Sequence, residues 1–133
     1  MVPLRYPYIW LGIGLLIMAV VLGLSLAPTG RMAAIMIVSD KTAHFFAFAA
    51  MMLWFCGVFR LPVTPWVGLG LVLFGLLIEG LQSLLPYRMA EFRDVLADVL
   101  GILFGWVIAW LGLRHWPRWV ENLLPVRSAP KKM

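Results

Sequence analysis

Four apolar stretches divide the chain, and polar residues gather in the gaps between them. No charged residue occurs from residue 6 to residue 30, and residues 9–27 are almost wholly apolar. About 20 such residues cross a hydrocarbon core of about 30 Å. Three further uncharged cores run over residues 45–59, 61–78 and 99–113. The second and fourth stretches reach spanning length only if His44 and Asp98 enter the membrane or its boundary. The third extends through Glu79 and Gln82 to about Leu85, where Pro86 stops it, which puts Glu79 roughly 9 Å inside the helix end at 1.5 Å per residue. The pattern predicts an all-α membrane protein, a four-transmembrane-helix bundle with short loops and antiparallel neighbours. Its spans fall at about 8–27, 42–59, 63–85 and 94–113, within a single domain over residues 1–133. Ser25-Leu26-Ala27 has the small-x-small spacing of a cleavage site. The apolar run is longer than the about 7–15 residues of a signal peptide, and Pro28 would follow the cut, so a retained span is expected.

Composition narrows the class. The chain is 63% hydrophobic and 13% charged, against about 45–50% and about 25% for soluble domains. An ordinary soluble fold is excluded. The net charge of +5 sits mostly outside the apolar segments, so topology and anionic lipid explain it better than nucleic acid, and no nucleic-acid partner is expected. Arg5, Arg60, Arg114, Arg118, Arg127, Lys131 and Lys132 fall on one side of the predicted bundle, and Arg31, Lys41, Arg88 and Arg93 on the other. This asymmetry predicts cytoplasmic termini in an inner, multi-pass cell-membrane protein, with the polar stretches facing the periplasm or cell exterior. Tyr6, Tyr8, Trp10, Trp66, Trp110 and Trp116 would form an aromatic belt on the cytoplasmic side. Residues 114–133 form a basic cytoplasmic tail, in which Trp116, Trp119, Val120, Leu123 and Leu124 share one helical face. A short interfacial helix at 116–124 and an irregular tail both fit, with residues 127–133 disordered. Cys56 is the single cysteine and offers no disulfide.

Helical spacing then gathers the polar residues. Asp94, Asp98, Gly101, Gly105, Ala109 and Gly112 share an arc on the fourth span, and Gly101-x-x-x-Gly105 permits close helix packing. Gly68, Gly75, Glu79 and Gln82 share a face on the third, and Asp40, His44, Ala47 and Met51 on the second. Each helix carries its polar groups at the outward end of an inward stripe, which predicts one shared site. Asp40 and Asp94 also suit helix capping, and Lys41, Arg88 and Arg93 suit interfacial anchoring. Glu79 and Asp98 lie mid-helix, where capping explains neither. A structural ion pair with Arg88 or Lys41 is the plainer alternative for them. Asp40, one turn before His44, is positioned to orient its imidazole.

At these residues the chain resembles the VanZ-like family. The family pattern is an Asp-Lys-x-x-His-Phe block opening the second span, here Asp40, Lys41, His44 and Phe45. A later block follows as Glu79, Gln82, Arg88, Glu91, Asp94, Asp98, Gly101 and Gly105. Many members carry Asn where this chain has Asp98, so it departs from the pattern there. The resemblance covers about residues 28–112. It implies a small four-helix envelope protein in a family named after a member linked to teicoplanin resistance, and it does not define a reaction.

Three functions fit the residues. In the first, an outward-facing site recognises an amphiphilic or lipid-linked molecule, with an influence on susceptibility to teicoplanin-type glycopeptides. Lys41 and Arg88 would bind its phosphate or carboxylate. Gln82, Asp94 and Asp98, with Glu79, would bind hydroxyl, amide or ammonium groups. In the second, a membrane-embedded enzyme modifies such a head group, with His44, Glu79 and Asp40 as acid–base groups. In the third, Glu79 and Asp98 relay protons in a small transporter. Membrane lipids, and a lipid-linked or lipidated small molecule, are the expected partners. No cofactor and no metal are expected, since one histidine beside carboxylates is a weak metal pattern. No oligomeric partner is indicated.

Overall fold

A computed structural model describes residues 1–28 and 40–125. The described residues are helical throughout, joined by turns and short coil. Four long helices occupy the four apolar stretches: α1 (Pro7–Leu26), α2 (Asp40–Val58), α3 (Thr64–Ser83) and α4 (Phe92–Trp110). A short α5 (Trp116–Leu123) follows. Proline stands in the first turn of α1, α3 and α5, where its missing N–H costs no helical hydrogen bond. Three of the long helices are long and apolar enough to cross a membrane. The fourth, α4, carries Arg93, Asp94 and Asp98 and reaches that standard only together with α5, which is bent 79° from it. Arg31, the basic residues at 127–133 and the predicted disordered tail lie outside the described residues.

Helix α2 lies at the centre and touches each of the other long helices, with α4 its nearest partner. Glycine accounts for that closeness. A Cβ on Gly101 would run into the Phe45 carbonyl, and one on Gly105 into the Ala49 carbonyl, so the two backbones touch where a side chain would hold them apart. Phe48, Met51, Met52, Phe55, Leu71, Ile78 and Ile102 fill the space between α2, α3 and α4. Outside, Leu15, Leu16, Leu24, Leu73, Leu77, Leu100, Phe104 and Val107 remain exposed. Apolar outward faces on α1, α3 and α4 match lipid rather than water. Gly112 departs from the predicted packing stripe. Its φ of 125° marks the turn that ends α4 and starts the 3-10 turn Leu113–His115 before α5.

The end of the bundle opposite His44 is closed by α5 and the N-terminal coil of residues 1–6. Glu121 is buried and accepts hydrogen bonds from the Arg5 N–H (2.7 Å), the Tyr6 N–H (3.0 Å) and the Trp10 indole N–H (2.8 Å). Glu121 lies off the helical face that Trp119, Val120, Leu123 and Leu124 share, and this carboxylate grips the bundle, while Trp119, Leu123 and Leu124 stay exposed. Trp10 and Trp116, expected in an outer belt, pack on each other and on Trp54 with ring centroids 4.6–5.8 Å apart. Tyr8, Trp66 and Trp110 remain exposed, as a belt requires.

Burial alone would push the Glu121 carboxyl up, but the three donated hydrogen bonds and the nearby Arg5 charge outweigh it and hold the group below its usual range. A carboxyl whose folded pKa is depressed contributes stability that is fully present above its unfolded pKa and is lost as pH falls through the folded one. The unfolded value is 4.5. Thermal unfolding in detergent should therefore show the wild type losing stability below pH 4.5, while Glu121→Ala, already destabilised by about 2–3 kcal/mol, loses less over the same range. Parallel curves for the two proteins would show that Glu121 contributes nothing to that slope.

Candidate functional site

The polar residues of α2, α3 and α4 meet at one end of the bundle. The central pair is His44 on α2 and Asp98 on α4, with Nδ1 and Oδ1 2.8 Å apart and both side chains buried. An ionised carboxylate only accepts, so with Asp98 ionised the ring proton of this pair is carried on Nδ1. The close α2–α4 contact made by Gly101 lies one turn below and sets this distance. Asp40 does not orient the imidazole, as its position one turn earlier had suggested. It is exposed on the helix rim and its Oδ2 takes Arg88 Nη1 at 3.2 Å.

Glu79 is buried on α3, and its Oε2 accepts the Glu91 N–H at 3.1 Å. Glu91 is the residue preceding α4, so a carboxylate from another helix caps α4. Asp94, the expected capping group, is left over in the first turn of α4, 2% exposed. Helix α3 stops at Ser83, so Glu79 lies roughly 6 Å from its end at 1.5 Å per residue, shallower than the predicted extension to Leu85 implied. Lys41 Nζ donates to Glu91 Oε2 at 2.6 Å and lies 3.5 Å from Asp94 Oδ1. That ammonium holds the Glu91 carboxyl below its usual range. The simple alternative of Glu79 and Asp98 paired with Arg88 or Lys41 is therefore not what the structure shows: their hydrogen bonds go to the Glu91 N–H and to His44.

Gln82 and Arg88 turn toward α1. Gln82 Nε2 donates to the Ser25 carbonyl at 2.8 Å, Tyr87 Oη to the Leu26 carbonyl at 2.8 Å, and Arg88 Nη2 approaches the Leu24 carbonyl at 3.4 Å. Ser25 and Leu26 carry two of the last carbonyls of α1, where helical partners run out, and the Leu24 carbonyl also takes the Ala27 N–H at 3.3 Å. The segment after α3 thus closes the end of α1, a role that spacing along one helix could not reveal because donor and acceptor are 57–64 residues apart.

Beside this cluster a cavity of about 300 Å³ opens between α1 and α2. Val21, Leu24, Ala43, Ala47 and Phe48 make its apolar walls, and Asp40, His44 and Arg88 also line it. The Arg88 side chain is 8% exposed, and its buried Nε has no hydrogen-bond partner among the described residues. A second cavity, of about 350 Å³, lies at the opposite end against Arg60, Arg114, His115 and Arg118.

The residues of this cluster are those that carried the family resemblance, and a family model described as VanZ/LLP1 matches residues 13–113. The chain belongs to the VanZ/LLP1 family. Neither the curated proteins nor the solved structures contain a significant match to it. In this VanZ/LLP1 chain, the eight singled-out residues Asp40, Lys41, His44, Glu79, Gln82, Arg88, Asp94 and Asp98 all stand at one end of the bundle, but in three groups. His44, Glu79, Asp94 and Asp98 form a buried acidic core, Lys41 joins it to Glu91 at the rim, and Asp40, Gln82 and Arg88 line or brace the α1 side. Two participants escaped the periodicity argument, namely Tyr87 and the carbonyl ends of α1. The tyrosine lies in the short connection before Arg88, where periodicity carries no signal.

Proposed function

We propose that this protein recognises an amphiphilic molecule whose anionic head group meets Arg88 and whose chain enters the cavity between α1 and α2. The observation that carries the reading is the meeting in one cavity of apolar walls with a buried guanidinium whose Nε donor has no partner among the described residues. An alkyl or isoprenyl phosphate, or a lipidated glycopeptide, has that chemistry, and charge-assisted hydrogen bonds to arginine supply the affinity. Binding of a fluorescent isoprenyl phosphate to the purified protein in lipid nanodiscs tests it. Saturable binding is expected, weakened about tenfold or more by Arg88→Ala and by Ala47→Phe, which fills the cavity. No saturable binding, or binding indifferent to both variants, would refute it.

The buried His44–Asp98 pair supports a second reading, acid–base chemistry on the same head group. Product formed by the wild type and not by His44→Ala would replace recognition with catalysis.

The bundle is proposed to lie in the inner cell membrane with both termini cytoplasmic and the cluster facing outward. The Lys and Arg asymmetry supports this. So does α5: bent 79° from α4 with Trp119 and Leu123 exposed, it suits the membrane surface. Reporter fusions at Met133 and after Arg60 should read cytoplasmic and one after Tyr87 external; a periplasmic C-terminus would reverse the assignment.

A further inference from the structure

We infer that His44, Glu79 and Asp94 form a binding site for one divalent transition-metal cation. One ligand atom from each lies within 4.8 Å of the other two. All three residues are more than nine-tenths buried, at 6%, 8% and 2% exposure. Glu79 Oε1 and Asp94 Oδ1 have no hydrogen-bond partner among the described residues, nor does Asp98 Oδ2. Buried carboxylate oxygens are costly when nothing positive faces them.

The cations nearby do not meet that need. Lys41 faces Asp94 at 3.5 Å but gives its short hydrogen bond to Glu91. Arg88 is turned to Asp40 and the end of α1. The N-terminus of α4 contributes only a partial positive charge. Among the described residues, three buried carboxylates therefore outnumber the full positive charges directed at them, and a divalent ion corrects the balance at one point.

The chemistry of the donors matches. An imidazole nitrogen with two carboxylate oxygens suits zinc, and also manganese, iron or cobalt in the divalent state. Metal bonds of about 2.0–2.2 Å would draw the three atoms to roughly 3–4 Å apart, a small adjustment of side chains. The groups around them already hold the ligands in place. His44 Nδ1 lies 2.8 Å from Asp98 Oδ1, and with the proton on Nδ1 this carboxylate–imidazole arrangement leaves Nε2 as the ligating nitrogen. The Glu91 N–H holds Glu79 through Oε2 and leaves Oε1 unused. Three protein ligands leave coordination positions open for an exogenous oxygen.

This inference stands apart from lipid recognition, because metal uptake is measured with the metal alone. The full chain, purified in detergent and stripped with chelator, is titrated with Co²⁺, whose visible absorption reports nitrogen and oxygen ligation, and then with Zn²⁺ in competition. One equivalent of Co²⁺ per chain is expected, displaced by Zn²⁺. Glu79→Gln and Asp94→Asn should each weaken binding by about 100-fold or more, and Asp98→Ala, acting through His44, by about 10–100-fold. Glu79→Gln keeps the acceptor for the Glu91 N–H, so its unfolding temperature without metal should match the wild type and separate ligand loss from misfolding. A wild type that takes up no stoichiometric metal would mean that protons, not a metal, neutralise the cluster, and the inference falls. It falls equally if Co²⁺ binds Glu79→Gln as tightly as the wild type, since the ion would then sit elsewhere.

Discussion

Gly101→Leu should leave little folded protein in the membrane, and Gly101→Ala should lower the unfolding temperature where alanine at a free glycine does not. A first side-chain carbon at position 101 meets the Phe45 carbonyl oxygen, and one at 105 meets the Ala49 carbonyl oxygen. Both obstacles are backbone, so no rotamer change removes them, and α2 and α4 must separate. Alanine gains about 0.8–1.0 kcal/mol over glycine in helix propensity. Overpacking typically costs about 1–3 kcal/mol, and more where backbone cannot move. The net effect at 101 or 105 is destabilising, and the double alanine variant should lose most of its folded yield. At Gly70 and Gly80 an added carbon meets nothing within 4 Å, so alanine there should be neutral or stabilising. Detergent unfolding curves for the four single variants decide the matter: equal curves at 70 and 101 would mean that the α2–α4 approach does not hold the bundle together.

The second large effect is expected at Asp98. Asp98→Ala leaves His44 Nδ1 without its hydrogen-bond partner at a buried position, at a cost of about 1–3 kcal/mol, and opens a space beside Gly75, where the native carboxylate is packed. Asp98→Asn keeps an acceptor oxygen and nearly the same volume, so it should accumulate like the wild type and be milder in every assay. Glu79→Gln likewise keeps its shape and its bond to the Glu91 N–H. If the cluster serves binding, Glu79→Gln and Asp98→Ala should impair binding of the isoprenyl phosphate probe more than they reduce membrane accumulation. Membrane yield and probe binding measured side by side test this. Equal loss of folded protein in all three variants would make the cluster an architectural ion-pair network.

Much of this molecule was legible along the chain because lipid imposes a simple rule. A segment that crosses hydrocarbon must be helical and apolar, so four charge-poor stretches meant four helices, and Pro86 and the charged gaps set their ends to within a few residues. Helical periodicity also set the inward stripe of α4 correctly from Asp94 to Ala109, since 100° per residue holds within one helix. Gly101 and Gly105 signalled close packing through their size alone. Which helix packed against them did not follow, because that depends on how the whole bundle assembles.

The pairings depended on the tertiary structure for the same reason. Asp40 and His44 are neighbours on one helix face, yet Asp98, 54 residues away, takes the imidazole, because the α2–α4 approach brings it nearer. Glu79 caps a helix other than its own. Gln82, Tyr87 and Arg88 satisfy the carbonyl end of α1 from the far side of the sequence. Glu121 lies off the apolar face of α5, and only the bend of 79° from α4 presents it to the N-terminal chain. Sequence by itself determined the helices, the residue types and the end of the bundle where the charged groups collect, since these follow from local periodicity and the cost of charge in lipid. Only the tertiary structure decided which carboxylate met which donor, and which were left facing one another, since hydrogen bonds form across distances in space that no spacing along the chain encodes.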